Sequence, residues 1–312
     1  MPEGIGPPGG ERGVGAGRIE ALMDVGELRN VVANRCPGLR ITTVVAFNDA
    51  GQYNELFLAD GHLVLRFPRY RSSLEALGRT KRILARLQGA LSLPTPRLRC
   101  SSPDGAPLGR AFLAYDYLKG VTLSLQSLEA IADPKVRRGL ARQLGGFLAE
   151  LHGHDLRNAS RDESSLDDVD AWRYLYGEIQ ARLFAEMRPA ARKAVTTHFE
   201  RFLMDPGFRA FTPSLRHGDF GPANVLYDPD RQTISGIIDF DGAGLGDPAV
   251  DLAAASCWGE GFFEDICSAY PDVEQHLGRA VFYRGTFALQ EALYGLRVGD
   301  QEAYESGLEP YR

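Results

Sequence analysis

Three observations predict an α+β fold with two lobes, a small antiparallel-sheet N-lobe and a larger, mainly helical C-lobe. Between Ile41 and Arg69 the chain carries three β-rich runs, separated by the turn compositions Asn48-Asp49-Ala50-Gly51 and Ala59-Asp60-Gly61. From Asp133 onward apolar residues recur at helical spacing. Strands gathered at one end and helices at the other form the segregated layout of an α+β protein, not an alternating parallel one.

Each element follows from local pattern. Residues Met1 to Gly17, rich in Gly and Pro and without the apolar stretch of a signal peptide, are expected to be a flexible tail. Ile19, Leu22, Val25, Leu28, Val31 and Val32 predict an amphipathic helix before Pro37. The three-stranded meander of residues 41–69 comes next. Leu74, Leu77, Ile83, Leu84 and Leu87 then mark a helix over 73–87, closed by Pro94 and Pro96. Two more strands are expected near Arg97–Cys100 and Ala111–Tyr117, with a hinge at Tyr117–Gly120. Asp133 and Pro134 are a helix start, and Val136, Leu140, Leu144, Phe147, Leu148 and Leu151 continue its apolar face. The only later β-like pieces are Asn224–Tyr227 and Ile234–Phe240, flanking Asp228-Pro229-Asp230. The expected organisation is a tail over 1–17, an N-lobe over 18–117 and a C-lobe over 118–312.

At 312 residues and 44% hydrophobic content the chain can bury a substantial core. No run of about 18 apolar residues occurs, so no membrane span is expected and the protein reads as cytoplasmic. Cys36, Cys100, Cys257 and Cys267 are scattered without a Cys-x-x-Cys pair, which predicts reduced, packed thiols with neither a disulfide framework nor a metal cage. The net charge of -6 is uneven. From His217 to the C-terminus, 17 acidic side chains face five arginines and no lysine, a balance of -12 that leaves +6 for the preceding part. An acidic second half disfavours nucleic acid and favours a cationic partner; a solvated acidic surface is the alternative.

The chemistry-bearing stretch is His217-Gly218-Asp219-Phe220-Gly221-Pro222-Ala223-Asn224, followed by Ile237-Ile238-Asp239-Phe240. Phosphoryl transfer requires metal ions on the phosphates and a carboxylate beside the attacking hydroxyl, and Asp219, Asn224 and Asp239 carry oxygens at a spacing that can provide both. Here the sequence resembles the aminoglycoside phosphotransferase family, whose signature is H-G-D-x-x-x-x-N, then I-D-F/W, then G-D-P-x-x-D. This chain reads HGDFGPAN, IIDFDGAGLGDP and Asp251. The resemblance implies a protein-kinase-like fold, Mg²⁺ as cofactor and ATP or GTP as phosphate donor. It implies Asp219 as catalytic base, His217 as a structural member of the catalytic loop, and Asn224 and Asp239 as metal ligands. Asp247, Pro248 and Asp251 read instead as the cap and anchor of the next helix.

The resemblance runs from about Ile41 to the C-terminus. Gly51 and Asn54 look like the nucleotide-covering turn, a plain hairpin being the alternative. Arg66, in the third strand, looks like the cation that holds the α- and β-phosphates, an exposed strand cation being the alternative. The backbone near Tyr117 and Leu118 would bind the purine, with Tyr115 at the back of the pocket. Relatives pair the strand-three cation with a Glu on the following helix, where this chain has Thr80; Glu75 lies about 140° around that helix. The orientation of Arg66 is therefore open. His152 and His154 close a helix without a third ligand, so they are not read as a metal site.

The expected activity is phosphate transfer to a hydroxyl of a small cationic molecule such as an aminoglycoside, with the 2''-phosphotransferase branch as the nearest resemblance. Glu260, Glu264 and Asp265 are the candidate substrate acids. Macrolide or metabolic small-molecule kinases, and a non-catalytic nucleotide binder, are the alternatives. The loop reads H-G-D and not the H-R-D of protein kinases.

Overall fold

The computed structural model describes residues 24–47, 53–154 and 169–312. The expected tail and the Gly51 turn lie outside these residues. The elements in chain order are α1 (Val25–Arg35), β1 (Val44–Ala46), β2 (Asn54–Ala59), β3 (Leu63–Pro68), α2 (Ser73–Leu87), β4 (Leu98–Ser101), β5 (Leu113–Asp116), β6 (Val121–Thr122), α3 (Leu125–Glu129), α4 (Pro134–His152), α5 (Val169–Arg182), α6 (Pro189–Met204), β7 (Ser214–Arg216), β8 (Val225–Asp228), β9 (Thr233–Ile237), β10 (Gly244–Gly246), α7 (Ala249–Ala255), α8 (Glu260–Cys267), α9 (Glu274–Val298) and α10 (Gln301–Leu308). They form two compact units. One holds the described residues up to Leu123 together with Asn224–Ala243; the other holds Ser124–Ala223 and Gly244–Arg312.

The first unit is built on an antiparallel sheet in the order β1-β2-β3-β5-β4. The β2–β3 turn is made by Asp60 and Gly61, both at positive φ, a backbone that suits the twist of a hairpin and that Asp and Gly tolerate. Central strand β3 is buried along its length. Its period-two alternation sends Leu65 and Phe67 into the cluster made with Leu28 and Val32 of α1, Phe57 and Phe112. Arg66 consequently faces the opposite side, where Leu77 of α2 packs on Ala111 and Leu113, with Tyr115 beside them. A second sheet, β6-β8-β9, completes this unit; Val121 pairs with Tyr227 and Val225 with Ile237.

In the other unit, Asp133 caps α4 by accepting from the Lys135 amide at 2.8 Å, and Pro134 occupies the first turn, as the sequence predicts. Trp172 of α5, Phe202 of α6 and Phe282 and Tyr283 of α9 form an aromatic core. The Phe202 and Phe282 rings are stacked at 3.7 Å. Burying each Phe contributes about 1.5–3 kcal/mol. α8 approaches α4 at Gly145, where a Cβ would collide with the Ile266 carbonyl, so only glycine permits that spacing.

Three expectations need correction. Cys36, at the end of α1, and Cys100, in β4, form a disulfide across 64 residues of sequence with Cα atoms 6.3 Å apart, so they are not reduced thiols; the pairing comes from packing of the two elements, which no cysteine spacing reveals. Cys257 and Cys267 are free. The β-structure after Asp133 also includes the pair β7–β10, three-residue strands too short to show a period of two. The strand expected to reach Phe240 stops at Ile237.

Candidate active site

Two groups of predicted residues are held together, one in each unit. In the first, Ile238 donates its amide to the Asn224 carbonyl at 2.9 Å, which ties the residue before Asp239 to the start of β8. Asp239 lies beyond β9 with φ +60°, a left-handed conformation uncommon for a side-chain-bearing residue and concentrated at functional sites. Its Oδ1 accepts from the Asp241 amide at 3.3 Å and lies 3.3 Å from the Arg66 guanidinium, while Oδ2 accepts from none of the described residues. Asn224 is buried at the end of a single 3₁₀ turn, Pro222–Asn224.

Arg66 is buried and is not an exposed strand cation. Besides Asp239 it pairs with Asp241, and Tyr115 lies close enough for the two groups to interact. Burial pushes the Tyr115 phenol up, and the adjacent guanidinium opposes this. Thr80 is also buried, and its hydroxyl lies 2.9 Å from both Asp241 Oδ1 and the Ala76 carbonyl. Asn54 directs its amide onto Asp241 Oδ2 at 3.1 Å. Asn54 is thus an anchor for Asp241. Sequence reasoning missed Asp241, although it stands two places after Asp239 in IIDFDGAG.

At the predicted hinge, the Tyr117 amide donates to the His62 carbonyl at 2.9 Å and its ring lies 6.2 Å from Phe47. The Tyr117 N–H is therefore engaged by the turn between β2 and β3.

The second group surrounds the loop His217-Gly218-Asp219. Asp251, fully buried in α7, accepts from the His217 and Gly218 amides, each at 2.7 Å, and lies 3.0 Å from His152 Nε2. His152 Nδ1 in turn lies 2.8 Å from the Tyr270 hydroxyl. Burial acts to raise the Asp251 carboxyl, but the His152 hydrogen bond and the His217 contacts outweigh it and hold the group below the usual carboxylate range. Gly218 takes φ +86°, which turns the chain at Asp219. The Asp219 amide is directed at His217 Nδ1 at 3.3 Å, and its carbonyl accepts from Gly221 at 2.9 Å. The fully buried His217 packs edge-on against Phe220. Asp247 caps α7 through the Ala249 amide and receives Arg279 at 2.6 Å and the Tyr283 hydroxyl at 3.0 Å, matching its expected anchoring role.

The candidate substrate acids fall on α8, with Glu260 and Glu264 exposed and Asp265 half-buried. No helix among the described residues is long and apolar enough to cross a membrane.

Viomycin phosphotransferase of Streptomyces vinaceus is 27% identical over 267 residues, covering 84% of this chain and 91% of the relative. The GDP and kanamycin complex of APH(2")-IIIa has a similar fold, with a TM-score of 0.77 at 24% identity over 90% of this chain and 95% of that one. The apoenzyme of a macrolide 2'-phosphotransferase from Brachybacterium faecium gives 0.65 at 26% identity over 91% and 97%. These likenesses bear out the kinase-like α+β fold and the family resemblance read from the HGDFGPAN stretch. The profile of the phosphotransferase enzyme family APH matches residues 44–284, and the chain belongs to that family.

Proposed function

We propose that the protein transfers the γ-phosphate of ATP or GTP to a hydroxyl of a cationic antibiotic of the aminoglycoside type. The observation that carries this reading is the assembly of Arg66, Asp239 and Asn224 within one unit, a phosphate-binding cation beside two hard oxygen donors.

Arg66 grips the α- and β-phosphates through its planar fork. Mg²⁺ suits a carboxylate and an amide oxygen, and would be held by Asp239 and Asn224 to neutralise phosphate charge; no three His, Cys, Asp or Glu residues among those described form a cage, so water and phosphate would complete its shell. Asp219 accepts the proton of the acceptor hydroxyl. The hydroxyl oxygen bonds to the γ-phosphorus as the bond to the bridging oxygen breaks, and the nucleoside diphosphate leaves. His217 positions this loop through Asp251. The purine is bound by the Leu118 backbone, since the Tyr117 N–H is already engaged. Glu260, Glu264 and Asp265 attract the cationic acceptor.

A cytoplasmic location suits this reading, because the nucleotide donor is held there. A macrolide acceptor is the second reading, favoured by the macrolide 2'-phosphotransferase likeness; the -12 balance after His217 favours a cation. The ion pairs of Arg66 weigh against a non-catalytic nucleotide binder, whose only support was Thr80. Diphosphate release measured with kanamycin, gentamicin, streptomycin, viomycin and a macrolide tests the reading. Asp219→Asn should reduce transfer at least about a hundredfold with nucleotide affinity little changed. Wild-type turnover in that variant would remove Asp219 from the mechanism.

A further inference from the structure

We propose that Asp241 is a positioning residue for Arg66, supplying from the loop after β9 the carboxylate that the family resemblance places on the helix after strand three. Thr80, at the position of the missing helix acid, fixes Asp241 in place. This inference rests on the phosphate-binding role given to Arg66 under the proposed function.

A buried guanidinium requires an anionic partner, because the cost of removing it from water is offset only by a well-placed counter-charge. The Arg66 side chain is 6% exposed. Glu75, the only acid of α2, lies on its exposed face and pairs with none of the described residues. The charge comes from Asp239 and Asp241, 173 and 175 residues further along the chain.

The two acids are held differently. Asp239 offers Arg66 one oxygen at 3.3 Å and keeps Oδ2 clear of the described residues. Asp241 has both oxygens engaged: Oδ1 with the Thr80 hydroxyl at 2.9 Å, and Oδ2 with the Asn54 amide at 3.1 Å and with Arg66 NH2. Its backbone carbonyl also accepts from Arg79 at 3.3 Å. β2, α2 and β3 therefore converge on one carboxylate. That grip suits a fixed strut for the guanidinium, and it leaves Asp239 as the acid with capacity for another ligand. A glutamate at position 80 would compete with Asp241 for the same space and charge, whereas threonine donates to it. The helix acid and the loop acid are alternative solutions to one electrostatic requirement.

The test measures nucleotide affinity by calorimetry, with Mg²⁺ and with chelator, alongside the Nε–Hε NMR signal of the Arg66 guanidinium. Asp241→Asn should weaken nucleotide binding about tenfold or more even without metal, as expected for loss of a charge-assisted pair. The loss should vanish in an Arg66→Met background. In Asp241→Ala, adding Thr80→Glu should restore both affinity and the Arg66 signal, since atoms added at position 80 are offset by those removed at 241. Equal losses from Asp241→Asn with and without Arg66→Met would overturn the inference. So would an Arg66 signal unmoved by Asp241→Asn, or a folded double variant that restores neither readout. The NMR arm needs no turnover, so a wild type inactive on every acceptor would refute the proposed function, while Asp241's hold on Arg66 would still be decided by that signal.

Discussion

Replacing Asp251 by alanine should detach the catalytic loop from the helical unit. The fully buried carboxylate takes two backbone amides at 2.7 Å and the His152 ring at 3.0 Å. Removing it leaves two buried N–H donors and an imidazole without their acceptor. Unsatisfied buried donors cost about 1–3 kcal/mol each, and breaking a buried pair typically costs about 3–5 kcal/mol, so a loss of roughly 3–5 kcal/mol is expected. For a unit of this size that lowers Tm by roughly 6–20 °C. Denaturant unfolding of the wild type and Asp251→Ala, with amide hydrogen exchange at Gly218, measures both the global and the local effect. The sign with pH follows from the lowered carboxyl. Because its folded pKa lies below the unfolded value near 4, the stabilisation is fully present above that value and is lost as pH falls through the folded one. Asp251→Asn should therefore flatten the acid limb of the stability profile below about pH 4. A loss under about 1 kcal/mol in Asp251→Ala, or unchanged exchange at Gly218, would refute the anchoring argument.

Asp239→Ala should weaken nucleotide binding in Mg²⁺ far more than in chelator, because a hard oxygen donor is removed; identical affinities in the two media would exclude it as a ligand. Tyr115→Ala should shift donor preference toward ATP if the ring limits the base pocket, and should also loosen Arg66, whose guanidinium meets the phenol; unchanged donor preference would show that Tyr115 acts only on the cation. Raising salt from 0.05 to 0.5 M should raise KM for an active aminoglycoside steeply, since the Debye length falls from about 10 Å at 0.1 M to about 3 Å at 1 M, and Glu264→Gln should reduce that slope. A KM indifferent to both would leave phosphate transfer intact and remove the cationic acceptor.

Much of the protein was legible as local pattern. The apolar spacing of residues 73–87 matches α2 in full, Asp133-Pro134 starts α4, and the Asp60-Gly61 turn joins β2 to β3, because periodicity, caps and turn chemistry depend on neighbours a few residues apart. The HGDFGPAN and IIDFDGAGLGDP stretches likewise carried the family, since their spacing is itself the signal. Tertiary structure decided which of those groups meet. The faces of α2 do not supply the carboxylate partners of Arg66, which arrive from a loop more than 170 residues away. Asp251 reads locally as a helix residue, yet it holds the amides of His217 and Gly218 and reaches His152 of another helix. The Cys36–Cys100 bond and the β7–β10 pair are decided in the same way. Such contacts form between segments whose own patterns are complete without them, so only the packed chain, by removing these charges and amides from water, determines their partners.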